Sequence, residues 1–232
     1  MQAEVNTIFN IIVIECAIQT PALECYRQLQ QNFPHNFSYH AAPQLGMDLL
    51  ANPPFPDAYI IFGSYSNVAD RLPWQIELKN FILQQLSQNI PVLGICFGHQ
   101  LIVDGLGGEI DLMHSDALLL EGVRNVKTSP HPSWPFTHEE LALFISHRYG
   151  ISKLPPDFDV IGIGHNSAYD IVCHKTLPFL GVQPHPEGSL AFIDETLSGQ
   201  KLDPNQINNA LKGGKKFMSI FFKGVESFLK NH

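Results

Sequence analysis

The sequence predicts an α/β domain with an open, mostly parallel sheet covered by helices on both faces. Short, β-rich apolar runs alternate with longer helix-like stretches, the pattern of strand–helix–strand units. Of its 232 residues 44% are hydrophobic and only 16% charged, enough apolar side chain for one large core without disulfide or metal staples. No repeat, low-complexity segment or long linker interrupts it, so residues 1–232 are expected to form one domain.

The elements follow in order. Ile8–Ile14 is the first buried strand. Thr20 as N-cap and Pro21 at the first helical position open a helix carrying Leu23, Tyr26 and Leu29. Ala58–Phe62 is a second strand, ending at Gly63. Trp74, Leu78, Phe81, Ile82 and Leu86 form a helical stripe with Pro73 near its start. Pro91–Ile95 is a short strand that runs into a helix from Gly98 to Leu106, stopped by Gly107-Gly108. Ala117–Lys127, Leu141–Ser146, Val160–Gly164 and Tyr169–His174 are strands without helices between them, an antiparallel patch or second small sheet. Phe179–Gln183 is the last strand. Asp203-Pro204 opens a C-terminal helix whose apolar residues run from Ile207 to Leu229, with an interruption expected at Gly213-Gly214.

Charge and composition exclude several function classes. A net charge of −8 argues against coating phosphate backbones or anionic lipid. Lys212, Lys215, Lys216, Lys223 and Lys230 gather on the last helix, where a solvated face explains them. Ile8–Ile14 is apolar like the core of a signal peptide, yet no Lys or Arg precedes Arg27. There is no apolar run of membrane-spanning length. Cys16, Cys25, Cys96 and Cys173 are scattered and are read as thiols. The expectation is a cytoplasmic protein with no nucleic-acid or membrane partner.

Three segments carry chemistry. In Gly94-Ile95-Cys96-Phe97-Gly98-His99-Gln100 a nucleophile sits between a strand and a helix with glycines at −2 and +2. Such an elbow forces strained backbone angles on its central residue, and side chains at ±2 would collide. It also places the Cys96 sulfur at a helix N-terminus, which favours an anion, and aims the Phe97 N–H at an oxyanion formed beside it. Taken alone, the segment equally describes a buried cysteine between turn glycines. In Gln183-Pro184-His185-Pro186-Glu187 the prolines favour extended backbone, from which Glu187 can reach the His185 ring and fix its tautomer. Gly63-Ser64 is a turn with N–H groups free for a second oxyanion donor. All three follow buried strands directly, at the carboxyl edge where open α/β sheets place their sites.

With GICFGHQ and QPHPE in this order, the chain resembles the class I (Cys-His-Glu) glutamine amidotransferases. It looks most like their stand-alone GMP-synthase-like branch, through Gly63-Ser64 followed by Val68, Asp70 and Pro73-Trp74. The resemblance implies a flavodoxin-like sheet with a smaller antiparallel sheet attached. It implies Cys96 as nucleophile, His185 as general base and acid, and Glu187 as its orienter. The backbone N–H groups of Ser64 and Phe97 would be the oxyanion donors, and Gly63, Gln100 and His147 would contact the substrate. No cofactor and no metal are implied. The loop that reads Ser-His-Gly-Asp in related synthetases is Ser146-His147-Arg148-Tyr149 here, with larger side chains in that corner.

No ATP-pyrophosphatase motif occurs, so ammonia would pass to a separate synthase partner. A γ-glutamyl peptide hydrolase is the alternative on this fold. The Cys-dependent protease and chaperone-like family usually has His directly after the nucleophile, where this chain has Phe97. A non-catalytic regulatory protein would not be expected to keep Cys96, His185 and Glu187 together. His99 reads as structural, and His114, His131, His138, His165 and His174 lack metal-ligand spacing. Cys173 and His174 point to opposite faces of their strand.

Overall fold

The computed structural model describes residues 7–50, 54–197 and 201–231. Its strands are β1 (Asn10–Glu15), β2 (Asn36–Ala41), β3 (Ala58–Ile61), β4 (Val92–Ile95), β5 (Glu109–Leu112), β6 (Leu120–Thr128), β7 (Glu139–His147), β8 (Tyr149–Lys153), β9 (Phe158–Gly164), β10 (Ser167–His174) and β11 (Phe179–Val182). The α-helices are α1 (Leu23–Asn32), α2 (Ala42–Leu45), α3 (Pro73–Ser87), α4 (Phe97–Gly105), α5 (Leu190–Thr196) and α6 (Pro204–Asn231).

Nine strands form one sheet in the order β2-β1-β3-β4-β11-β10-β9-β6-β7, and β5 pairs with β8 in a second, two-stranded sheet. From β2 to β11 every pairing is parallel; from β11 to β7 every pairing is antiparallel. The antiparallel strands of the middle region thus extend the main sheet, and only β5–β8 stands apart. The extension curls back on itself: although β7 is the far edge of the sheet, Phe144 bridges to His185, just beyond β11.

Residues alternate between two cores, as the pleat requires. Ile11, Val13, Ile60, Leu93, Ile95, Leu180 and Val182 pack with α1 and α6 residues on one face; Ile14, Tyr59, Ile61, Val92 and Phe179 pack with α3 and α4 residues on the other. Among the described residues no helix is long and apolar enough to cross a membrane.

Two local expectations are corrected. Helix α1 begins at Leu23 with Ala22 as N-cap, not at Thr20-Pro21. The Glu15 carboxylate, at the end of β1, accepts the backbone N–H groups of Ala17 and Ala22 at 2.8 and 2.7 Å, so a side chain from the preceding strand does the work expected of Thr20. Helix α6 runs unbroken through Gly213-Gly214. A Cβ on Gly213 would lie 2.1 Å from the Ala142 carbonyl oxygen, and one on Gly214 would lie 2.3 Å from that of Pro186. These glycines serve close approach of the helix to β7 and to the segment carrying His185, rather than a break.

Candidate active site

Cys96 sits where β4 turns into α4, with φ 49° and ψ −100°, a conformation that side chains rarely adopt. A Cβ on Gly94 would lie 2.7 Å from the Gly98 carbonyl, and one on Gly98 would lie 2.7 Å from the Ile61 carbonyl oxygen. Gly94 is therefore required by the elbow itself, and Gly98 by the close approach of α4 to the end of β3. Phe97 is the first residue of α4, so its N–H has no intrahelical acceptor. Neither this N–H nor that of Ser64 finds a hydrogen-bond acceptor among the described residues.

Three adjacent strands deliver the site: Gly63 and Ser64 follow β3, Cys96 ends β4, and His185 and Glu187 follow β11. The Ser64 loop is pinned from outside. Asn67 N–H donates to Asp70 at 2.9 Å, and the buried Gln75 amide donates to Ser66 Oγ at 2.8 Å and the Asn67 carbonyl at 3.0 Å. Arg71 then grips Asp104 of α4 with two hydrogen bonds of 2.7 and 2.8 Å.

His185 Nδ1 lies 2.8 Å from Glu187 Oε1, which places the ring proton on Nδ1 and leaves Nε2 as the reactive nitrogen. Nε2 and Glu187 Oε2 are buried and accept or donate no hydrogen bond of ordinary geometry among the described residues, and both residues line one cavity with Cys96. Burial alone would hold the His185 ring neutral, but Glu187 and Cys96 outweigh it and raise its pKa well above 6.5. His185 N–H donates to the Phe144 carbonyl at 2.8 Å, and Gln28 donates to the Gly188 carbonyl at 2.8 Å, so β7 and α1 both fix the segment. Gly63 is the spacer: a Cβ there would lie 2.9 Å from His185 Cε1 and 3.6 Å from Cys96 Cβ.

Gln100 and His147 lie close to Cys96 but are engaged with protein atoms. The Gln100 amide nitrogen donates to the Tyr149 carbonyl and to Gln183 Oε1, both at 2.9 Å, and Gln183 Nε2 in turn reaches Cys96 Sγ at 3.6 Å. His147 Nδ1 donates to the Tyr149 carbonyl at 2.9 Å, and Arg124 lies 3.2 Å from Nε2. Arg124 is held by a buried ion pair with Asp170 at 2.7 Å. Burial and Arg124 pull the His147 pKa down to about 4; burial and His147 pull that of fully buried His99 down to about 3. His99 packs against Gly181 and plays no part in the cavity, as its structural reading requires.

A stability prediction follows from these two rings. Both are neutral in the folded protein and take up a proton near pH 6.5 once unfolded. Stability is therefore full above pH 6.5 and is lost as pH falls towards 4 and 3, by about 3 kcal/mol for each ring at pH 4. Denaturant midpoints measured from pH 7 to pH 4 should show this fall, and His99→Leu should flatten it; equal slopes in both proteins would refute the assignment.

Sequence reasoning passed over Gln183, Arg124, Asp170 and Glu15. Gln183 stood inside a quoted motif without a role, while Arg124 and Asp170 are 46 residues apart and meet only through the strand order. The structure also gathers His131, Asp159 and Cys173, whose spacing gave no hint of it. Ser133 N–H donates to His131 Nδ1 at 3.3 Å, which puts the ring proton on Nε2, 3.4 Å from Cys173 Sγ and 3.6 Å from Asp159.

A sequence profile of the family described as glutamine amidotransferase class-I matches residues 29–202, the stretch that holds all three motifs. The chain belongs to the class I glutamine amidotransferases. This amidotransferase is 30% identical over 168 residues to a glutamine-hydrolysing GMP synthase of Thermosipho africanus, covering 72% of its own length and 30% of the relative's. It is 33% identical over 109 residues to one subunit of the glutamine-hydrolysing GMP synthase of Methanocaldococcus jannaschii, covering 47% of its own length and 57% of that relative's. It thus spans about a third of the full-length GMP synthases it matches. Among solved structures, a glutamine amidotransferase of Thermotoga maritima superposes with a TM-score of 0.68 at 18% identity, over 97% of this chain and 98% of that one. One from Methylobacillus flagellatus gives 0.68 at 21% identity over 94% and 96%. At such identities the agreement establishes the fold.

Proposed function

We propose that this amidotransferase hydrolyses the γ-amide of glutamine through a thioester on Cys96 and hands the ammonia to a separate synthase protein. The observation that carries the reading is the joining, in one cavity, of a cysteine strained on a strand-to-helix elbow with a histidine held by a buried glutamate. Glu187 and Cys96 together favour the protonated ring of His185. The thiolate attacks the amide carbon, and the carbonyl oxygen gains charge against the N–H groups of Ser64 and Phe97. His185 passes its proton to the nitrogen as the C–N bond breaks, leaving the γ-glutamyl thioester. Water, losing a proton to His185, then releases glutamate and restores the thiolate.

An electrophilic glutamine analogue is expected to label the protein once, at Cys96, and free glutamine should block the labelling. Peptide mapping reads the site, and ammonia release from glutamine reads the activity. Absence of both, with and without cell extract to supply a partner, would refute the reading.

A second reading, the cleavage of γ-glutamyl peptides, is favoured by one observation. The cavity on the His185 side of Cys96 measures about 440 Å³, far more than ammonia occupies. Turnover of a γ-glutamyl dipeptide panel against free glutamine separates the two.

A further inference from the structure

Cys96, Ser64, Tyr65 and Ser146 line two cavities of opposite charge, and His185 lines only the larger and Phe97 only the smaller. The larger is walled by His185 and Glu187 together with Glu15, Glu24 and Glu195. The smaller, about 90 Å³, is lined by Ser64, Phe97, Gln100, His147, Arg148 and Tyr149 among others, with no Asp or Glu in its wall among the described residues. The chemistry of acyl transfer says which is which. The general acid must face the departing nitrogen, so the leaving group lies on the His185 side. The carbonyl oxygen turns towards Ser64 and Phe97, and the rest of the acyl chain extends past them into the smaller cavity.

Among the described residues that line this acyl subsite, one side chain brings charge. His147 is neutral, with both ring nitrogens engaged. Arg148 is exposed, donates through Nε to the Ala117 carbonyl at 3.0 Å, and pairs with no carboxylate among the described residues. Its remaining donors suit a carboxylate in the planar, two-pronged manner of a guanidinium. The acidic residue nearest by strand register, Glu121 opposite Ser146, does not line the cavity.

We infer that Arg148 determines specificity by receiving the carboxylate at the far end of the acyl chain, and that among the described residues no charged side chain holds an α-ammonium group. The substrate class is then the ω-amide of a dicarboxylic acid, with the amino group dispensable. This rests on the reading of Cys96 as an amide-cleaving nucleophile.

Three amides test it: glutamine, glutaramate, which lacks the α-amine, and glutamine α-amide, which lacks the α-carboxylate. Removing the carboxylate should lower kcat/KM by about 100-fold or more, and removing the amine by less than about 10-fold. Arg148→Gln should bring glutamine and glutaramate down to the level of the α-amide while leaving the α-amide rate alone; Arg148→Lys should recover part of the loss. Glutarate should protect Cys96 from alkylation, and Arg148→Gln should weaken that protection by about 10-fold. The inference is overturned if glutaramate is inert, if Arg148→Gln lowers all three amides alike, or if Glu121→Gln depresses glutamine alone. Should glutamine still be cleaved in those cases, the reading of Cys96 survives. Should none of the three be cleaved, both fall.

Discussion

Cys96→Ala is expected to lower glutamine hydrolysis by at least about 10⁴-fold, to the level of the cavity's binding groups acting alone. The loss is large because Cys96 supplies the electron pair that forms the thioester. Folding should survive, since the side chain removed is small and the turn is held by Gly94, Gly98 and the strand pairing on both sides. A sharper check uses the backbone. Any β-carbon at φ 49°, ψ −100° carries strain worth about 1–3 kcal/mol, so Cys96→Gly should unfold at a higher temperature than Cys96→Ala although both are inactive. Ammonia release by Cys96→Ala at the wild-type rate would end the nucleophile assignment.

Glu187→Gln is expected to cost between about 10² and 10⁴ in kcat. The amide preserves shape but neither holds the Nδ1 proton as firmly nor offers charge to the ring. In the wild type, burial pushes the His185 pKa down while Glu187 and then Cys96 push it up, and the upward pull wins. With the carboxylate gone the balance shifts downward, so the pH profile of the residual activity should lose its alkaline side at a lower pH than wild type. Stability responds through the same proton. The raised pKa of His185 contributes stability that is full below pH 6.5 and fades as pH rises through the folded value, so Glu187→Gln should be penalised most at low pH. An unchanged pH profile, or an optimum moved to higher pH, would show that Glu187 does not govern the ring.

The parts of this site that the sequence discloses are those enforced over a few residues. The glycine two before Cys96 is demanded by the turn itself, and a short turn over Pro186-Glu187, closed by the Gly188 N–H on the His185 carbonyl at 3.2 Å where extended backbone was expected, brings carboxylate to imidazole within three residues. The buried apolar strands are legible for the same reason, each being a run of consecutive residues. What stays hidden depends on register. Arg124, His147 and Asp170 come from three strands that meet in the antiparallel half of the sheet, where no local pattern links them. Strand β2, absent from the sequence reading, is an edge strand paired only with β1, and its Asn-Phe-Ser-Tyr-His-Ala run carries no continuous apolar signal. Helix α5 was also missed: Ser189 Oγ accepts the Phe192 N–H at 3.2 Å, but the helix is too short to show a period. The glycines of α6 misled because helix propensity is a weak vote against tertiary contact.

Those same glycines bear on the order in which the protein comes into being. Helix α6 presses on the Pro186 carbonyl, between the two residues that form the imidazole–carboxylate pair, yet it is the last described element to leave the ribosome. Cys96, His185 and Glu187 are all synthesised before the prop that seats the segment after β11. A nascent chain can hold a reactive thiol before the segment carrying its histidine is seated, and competence to split an amide should arrive only when α6 docks.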